Sequence, residues 1–352
     1  MSSRDRILCA FECGTPDRVP VSPFTLGRLN PEDAFTWEFI RRVDPLIDVG
    51  LAGGSPFFGT GVQQEVRQQG DMTEVIIHTP CGGLRSVYKR TQRTTGHIVF
   101  PCKTADDVER LLSIPYEPPD PDPTQFMNWR DRVGDEGLVL AGIGNALCWA
   151  AEMFSPQDFC LLWADAPDAM IEMTRVANER LCQWVDAACR KGVDAFRIVG
   201  GEYASTQLGP RAFDLLCRQP DRELVRVIKS HGAWAYYHNH GPIMDYLDMI
   251  VDIAPHALDP LEAPPWGDCD MAAAKAKLKG RVCIVGNLDD MEIVEKRPLE
   301  EVKDMARQLL EQAGPDGFCL GGTASGTYTE VAARKFMALV ELAEEYARSG
   351  PR

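Results

Sequence analysis

The chain has 352 residues, 45% hydrophobic and 25% charged, enough for a large buried core in an ordinary globular protein. A formal net charge of −15 argues against nucleic acid as a partner, because phosphate binding needs clustered Lys and Arg. Twelve cysteines, scattered without any Cys-x-x-Cys pair, point to a reducing compartment rather than a disulfide scaffold. With no membrane-length apolar run and no apolar stretch in MSSRDRILCAFECG, a cytoplasmic protein without a membrane partner is expected.

Residues 3–13 read as a short helix stopped by Gly14 and Pro16, and RVPVSPF (18–24) as a first buried strand with a proline-bearing start. A helix over PEDAFTWEFIRRV follows, with Pro31 near its first turn. Residues 71–90 break the rhythm: two β-rich runs flank Pro80-Cys81-Gly82-Gly83, the pattern of a hairpin inserted near the mouth of the fold. The Pro- and Asp-rich stretch 116–126 reads as a surface connection, so 1–352 is taken as a single domain.

From LVLAGIG (138–144) onward the alternation is regular. A long helix starts at Pro167, and its Met170, Met173, Ala177, Leu181, Trp184 and Ala188 step by three and four as a core-facing stripe until Gly192. Strands over 195–200, 234–238, 257–263, 282–288 and 317–323 alternate with helices over 210–230, 242–253, 270–280 and 298–314, and with the C-terminal YTEVAARKFMALVELAEEYARSG. The pattern predicts an α/β fold, a (β/α)8 TIM barrel with an N-terminal helical segment and an inserted β-hairpin. No G-x-G-x-x-G opens a helix after a strand, which removes the main argument for a dinucleotide domain.

In such a barrel the chemistry sits at the C-terminal ends of the strands. That position nominates Glu202 and Tyr203, then His238 and His240, Asp259 and Glu262, Asn287 and Asp289, and Thr323 and Ser325. Alternation puts His238 and His240 on one face, with Asn239 opposite. Zinc takes imidazole, thiolate and carboxylate together, which makes Glu202, Cys217 and His238 a candidate ligand set. Cys217 reaches it only if its helix leans over the mouth, and a buried helix cysteine is the competing reading. Phe24, Phe35 and Trp37 are candidate pocket walls, with core packing as the competing reading.

The stretches GVDAFRIVGGEYAS, LGPRAFDLL, KSHGAWAYYHNHG, KLKGRVCIVGNLDD and GFCLGGTASGTY resemble the uroporphyrinogen decarboxylase superfamily, over residues 4–347. The resemblance implies a TIM barrel. Its decarboxylases carry an arginine-rich R-Q-A-G-R-Y signature after the first strand; here that place reads VSPFTLGRLNPE, with the single arginine Arg28. The chain looks closer to the methyltransferase branch, which exchanges methyl groups with corrinoid proteins. The coenzyme M group there builds its zinc site from His-x-Cys and a later Cys, where this chain has His238-Asn239-His240 and Cys319. The phenyl methyl ether O-demethylases have a Glu, fourteen residues, Glu, twenty residues, His motif; the same spacings fall here on Glu202, Cys217 and His238, with Cys in the middle.

The resemblance therefore implies a zinc-dependent methyltransferase that demethylates a methyl ether and passes the methyl group to the Co(I) corrinoid (cobalamin) of a partner protein. It implies zinc on Glu202, Cys217 and His238, with His240 or Glu262 as replacements for Cys217. His240 and Tyr203 become the candidate catalytic groups, and Glu262, Asn287 and Phe24 the substrate contacts. Transfer from a methyl-corrinoid to a thiol and a decarboxylase reaction are the alternatives, and the resemblance allows a homodimer.

Overall fold

Apolar runs bounded by Gly, Pro and Asp assemble into one curled parallel sheet in the computed structural model, which describes residues 1–92, 94–323 and 326–350. Ser325 lies outside the described residues. Helix α1 (Ser3–Phe11) starts at Ser2, whose side chain accepts from Asp5 N. The segment 18–24 then takes the eighth strand position. On one side Ser22 N donates to Leu320 O and Leu320 N to Pro20 O, both at 2.8 Å; on the other Leu46 N donates to Pro23 O at 3.2 Å. Pro20 and Pro23 have no N–H to give, so this stave is held by isolated bridges instead of a full ladder.

After α2 (Ala34–Arg42) comes β1 (Leu46–Gly50), then a four-stranded antiparallel meander of β2 (Gln64–Gln69), β3 (Met72–Thr79), β4 (Gly82–Arg90) and β5 (Thr95–Val99). The expected hairpin is its central pair, with Thr79 opposite Gly82 across a two-residue turn. Gly82 has φ +117°, open to glycine alone at little cost. The outer strand β2, QEVRQQ, is exposed throughout and has no apolar alternation to betray it.

The barrel resumes through α3 (Ala105–Leu112), α4 (Thr124–Val133) and β6 (Leu138–Gly144). Helices α5 (Ala146–Ala151), α6 (Pro156–Asp165) and α7 (Pro167–Arg190) lead to β7 (Ala195–Val199). Next come α8 (Glu202–Gln207), α9 (Pro210–Phe213), α10 (Gln219–Ser230) and β8 (Trp234–Asn239). The remaining units are α11 (Leu247–Ile253) with β9 (Ala257–Pro260), α12 (Met271–Leu278) with β10 (Cys283–Leu288), and α13 (Leu299–Ala313) with β11 (Phe318–Gly322), before α14 (Glu330–Ser349). The parallel order β1-β6-β7-β8-β9-β10-β11, closed by the proline-bearing stave between β11 and β1, is the expected (β/α)8 barrel.

The predicted helix over 210–230 is interrupted by a π-helical turn, Asp214–Arg218, just ahead of Pro220. Pro220 cannot donate and its ring crowds the preceding turn, which the wider winding relieves. Cys217 sits on that turn. The α7 stripe is buried as predicted.

Inside the barrel, Leu46, Leu138, Leu140, Ala195, Tyr236 and Ala257 join Cys283, Val285 and Cys319 in one apolar cluster, sealed from below by Ile7, Ala10 and Phe11. The Phe11 ring stacks on Tyr236 with centroids 5.9 Å apart. Burial of Phe11 contributes about 1.5–3 kcal/mol, and the plug makes the barrel blind at its N-terminal end. Among the described residues no helix is long and apolar enough to cross a membrane.

Candidate active site at the barrel mouth

Two residues beyond the apolar plug, the inward positions change character. Leu46 gives way to Asp48 on β1, Ala195 to Arg197 on β7, Tyr236 to His238 on β8, and Ala257 to Asp259 on β9. Arg197 Nη1 reaches Asp48 Oδ2 at 3.3 Å, and its guanidinium lies 4.3 Å over the Phe24 ring. His238 Nδ1 and Asp259 Oδ1 are 3.0 Å apart, both nearly without exposure. Burial holds the His238 imidazole below its usual value, with Asp259 pulling against that shift. Burial would raise Asp259, but His238 and Arg197 outweigh it and hold the carboxyl low.

One layer higher, the His240 ring stands edge-on to His238 with centroids 4.4 Å apart. Its Nδ1 is 3.0 Å from Glu262 Oε1, while Gly241 N donates to Glu262 Oε2 at 2.7 Å. The bond to Glu262 raises His240 above the usual imidazole value, against the pull of burial. Asn239 points the other way, donating to Ser205 Oγ at 3.0 Å. A β-carbon at Gly201 would fall 2.3 Å from Asn239 Oδ1 and 2.8 Å from Tyr237 Oη. Gly201→Ala is therefore expected to cost about 1–3 kcal/mol in urea unfolding; an unchanged midpoint would show that the turn relaxes freely.

Glu202 opens α8, and its Oε2 accepts from Gly200 N at 3.1 Å. It lies close enough to raise both His240 and Cys217 electrostatically. Tyr203 packs edge-on to Phe159, and burial pushes its hydroxyl up to about 12. Cys217 is fully buried against the outer face of β8, beside Tyr237, with Asn145 Nδ2 4.0 Å from its sulfur. Tyr237 and His238 are consecutive, so they point to opposite faces. The structure thus brings His238, His240, Asp259 and Glu262 together, sets Glu202 at their flank, and leaves Cys217 behind the strand. Among the described residues no three His, Cys, Asp or Glu side chains stand grouped as an ion would need.

Asn287 donates to Leu261 O at 2.7 Å and lines a cavity of about 660 Å³ with Glu262 and Thr323. A second cavity, about 350 Å³, opens on the opposite side between β1, β6 and β7. Phe35 and Trp37 lie on the outer layer, under Arg334 and against Pro31 O respectively. Cys319 sits in the plug, 3.9 Å from the sulfur of Cys283. Asp48 and Arg197 went unnoticed in the sequence, although a charged residue inside LIDVG and inside AFRIV was the signal: such residues are rarely buried without a partner.

Behind β8, the fully buried Asp221 accepts from Tyr237 Oη at 2.6 Å and Asn145 Nδ2 at 2.9 Å. Burial lifts its carboxyl to about 7, although both bonds pull it down. A value above the unfolded one means a contribution fully present below about pH 4 and lost as pH rises through 7. Asp221→Asn should therefore gain on the parent in urea unfolding at pH 8, with the gain shrinking toward pH 5. The opposite trend across paired melts would contradict the assignment.

Among solved structures the chain is similar to a methyltransferase from Methanosarcina mazei at 14% identity, over 98% of this chain and 100% of that one, with a TM-score of 0.64. It also matches a putative vitamin-B12 independent methionine synthase from Listeria monocytogenes (14% identity, 63% of this chain and 68% of that one, TM-score 0.41). A B12-independent methionine synthase from Shewanella sp. matches at 13% identity, over 85% of this chain and 77% of that one, TM-score 0.40. At these identities the first likeness is one of fold, and the other two are too loose to bear on function. No curated protein matches the chain. The uroporphyrinogen decarboxylase (URO-D) family, however, matches residues 127–346, which hold every stave from β6 to β11 together with His238, Asp259 and Glu262, and the protein belongs to that family.

Proposed function

We propose that the protein is a methyltransferase that takes a methyl group from a small methyl ether and delivers it to the Co(I) corrinoid of a partner protein. The observation that carries this reading is the double pairing at the mouth, His238 with Asp259 and His240 with Glu262. A full-length fold likeness to a protein described as a methyltransferase supports it.

Zinc fits part of the donor set. Asp259 engages Nδ1 of His238, the arrangement that fixes the tautomer of a metal-binding imidazole and leaves Nε2 as its ligand atom. Glu202 stands at the flank as a carboxylate donor. Cys217, buried behind β8 beside Tyr237, does not stand with them. When bound there, zinc supplies a Lewis acid for the ether oxygen, which otherwise leaves as a poor leaving group.

The chain's own residues do the rest. Asp259 orients His238, Glu262 holds the proton on His240, and His240 gives it to the departing oxygen. The apolar plug below keeps the lumen floor free of bulk water. Methyl transfer is expected to fall as pH rises through the elevated His240 value, and His240→Gln should flatten that limb of the profile. The test of the reading combines metal analysis with methyl transfer from candidate ethers to reduced corrinoid protein. Absence of zinc, together with unchanged turnover in Glu202→Ala and His238→Ala, would sink it.

A further inference from the structure

The meander beside the barrel ends in a strand with one unused edge. β2 pairs only with β3, in an unbroken antiparallel register, and all of its residues are exposed. One step beyond the Gln64–Ile77 pair, His78 N donates to Gln63 O at 3.0 Å, which makes Gln63 and His78 a hydrogen-bonded pair. Such pairs alternate along an antiparallel ladder. Glu65, Arg67 and Gln69 therefore turn their N–H and C=O toward β3, while Gln64, Val66 and Gln68 turn theirs toward the open edge. On that side no backbone hydrogen bond reaches those three among the described residues.

Folded proteins usually blunt an open edge with proline, lysine, a bulge or a very short strand. β5, at the opposite edge, is shorter, and its pairing with β4 shifts register between Val87 and Tyr88. β2 has neither proline nor lysine, and its register does not shift. Its two charges are opposite in sign and share one face of the strand, with Arg67 Nη2 at 2.8 Å from Glu65 Oε1. Val66 stands between them on the other face, 56% exposed.

These features make QEVRQQ complementary to itself. Turned about an axis through Val66, the strand meets a copy with Val66 opposite Val66, Glu65 opposite Arg67 and Gln64 opposite Gln68. The open-edge residues are then the ones that face each other and exchange hydrogen bonds. The two Glu–Arg pairs fall at the positions between, where facing side chains lie closest, and the four charges alternate in sign around the axis. Moving the axis to Glu65 or to Arg67 would put like charges face to face.

We propose that the protein forms a reversible, two-fold symmetric dimer in which β2 pairs antiparallel with β2 of a second copy, joining two four-stranded meanders into one sheet. The dimer stands independently of the reaction proposed above. Two strand edges bury far less than the roughly 1,600 Å² of a stable interface, so the dissociation constant is expected on the order of 10–100 µM.

The experiment is sedimentation velocity of the full chain from about 1 to 300 µM, where the parent should pass from monomer to dimer. Val66→Pro removes an outward N–H and leaves the bonds to β3 in place, a substitution that edge strands tolerate. It should stay monomeric and melt near the parent temperature. Glu65→Arg and Arg67→Glu should each self-associate at least about tenfold more weakly, because like charges then face each other twice. Mixed in equal amounts, these two variants should recover dimer at the parent's strength, since each copy then meets the opposite charge. If Val66→Pro melts early, the two charge variants, which leave the backbone intact, decide. A parent that stays monomeric throughout, an undiminished dimer in a folded Val66→Pro or in either charge variant, or a mixture that stays monomeric overturns the proposal.

Discussion

Replacing Asp44 by alanine is expected to destabilise the protein by about 3–5 kcal/mol, the cost of breaking a buried charge pair from one side. Asp44 has no exposure and accepts from Arg6 Nη1 at 2.7 Å, Arg18 Nη1 at 2.5 Å, Ser3 Oγ at 2.7 Å and Val21 N at 2.9 Å. One carboxylate thus ties α1, the proline-bearing stave and the approach to β1 into a single joint. Arg6 keeps Asp17 as a second partner after the substitution; Arg18, one-tenth exposed, loses the carboxylate that neutralises it. The stave has few backbone bonds of its own, so this joint is where the barrel closes. Urea unfolding of Asp44→Ala measures the loss, and a change below about 1 kcal/mol would show that the bridges alone suffice. Asp44→Asn retains an acceptor for Val21 N and should cost less.

The second large effect is on activity. On the proposed zinc-dependent reaction, Asp259→Asn should lower methyl transfer by about 10–100-fold and weaken zinc retention with it, as loss of a carboxylate behind a zinc-ligating histidine does. The substitution keeps the shape of the side chain but removes the charge that holds the Nδ1–H tautomer of His238. If the new amide presents its NH₂ to Nδ1, the imidazole proton moves to Nε2 and the ring can no longer act as a ligand. A variant that retains both metal and turnover within twofold of the parent would remove Asp259 from the mechanism.

Much of this was legible because strand and helix periods are strong where both faces are buried. β6, β7, β8, β10 and β11 stand within a residue or two of their expected places. The pairing of His238 with His240 on one face followed from alternation alone. β1 was passed over because five residues hemmed by Asp44-Pro45 and interrupted by Asp48 do not read as an apolar run. The outer strands of the meander escaped because exposed pairs need no apolar face. Cys217 is the clearest limit: its spacing from Glu202 and His238 says nothing about which side of β8 it occupies. That side follows from the crossover segment packing on the outer face of the sheet, a tertiary arrangement with no local period.

A barrel plugged by Phe11 and its neighbours has one door. On the proposed reaction, anything small that reacts in the lumen must arrive and depart through the same opening that the corrinoid partner would cover. Chemistry between the two therefore has a compulsory sequence, with the small molecule first and the large one as the lid. Steady-state kinetics carry the signature: the partner at high concentration should act as a dead-end inhibitor by trapping the cavity before it fills.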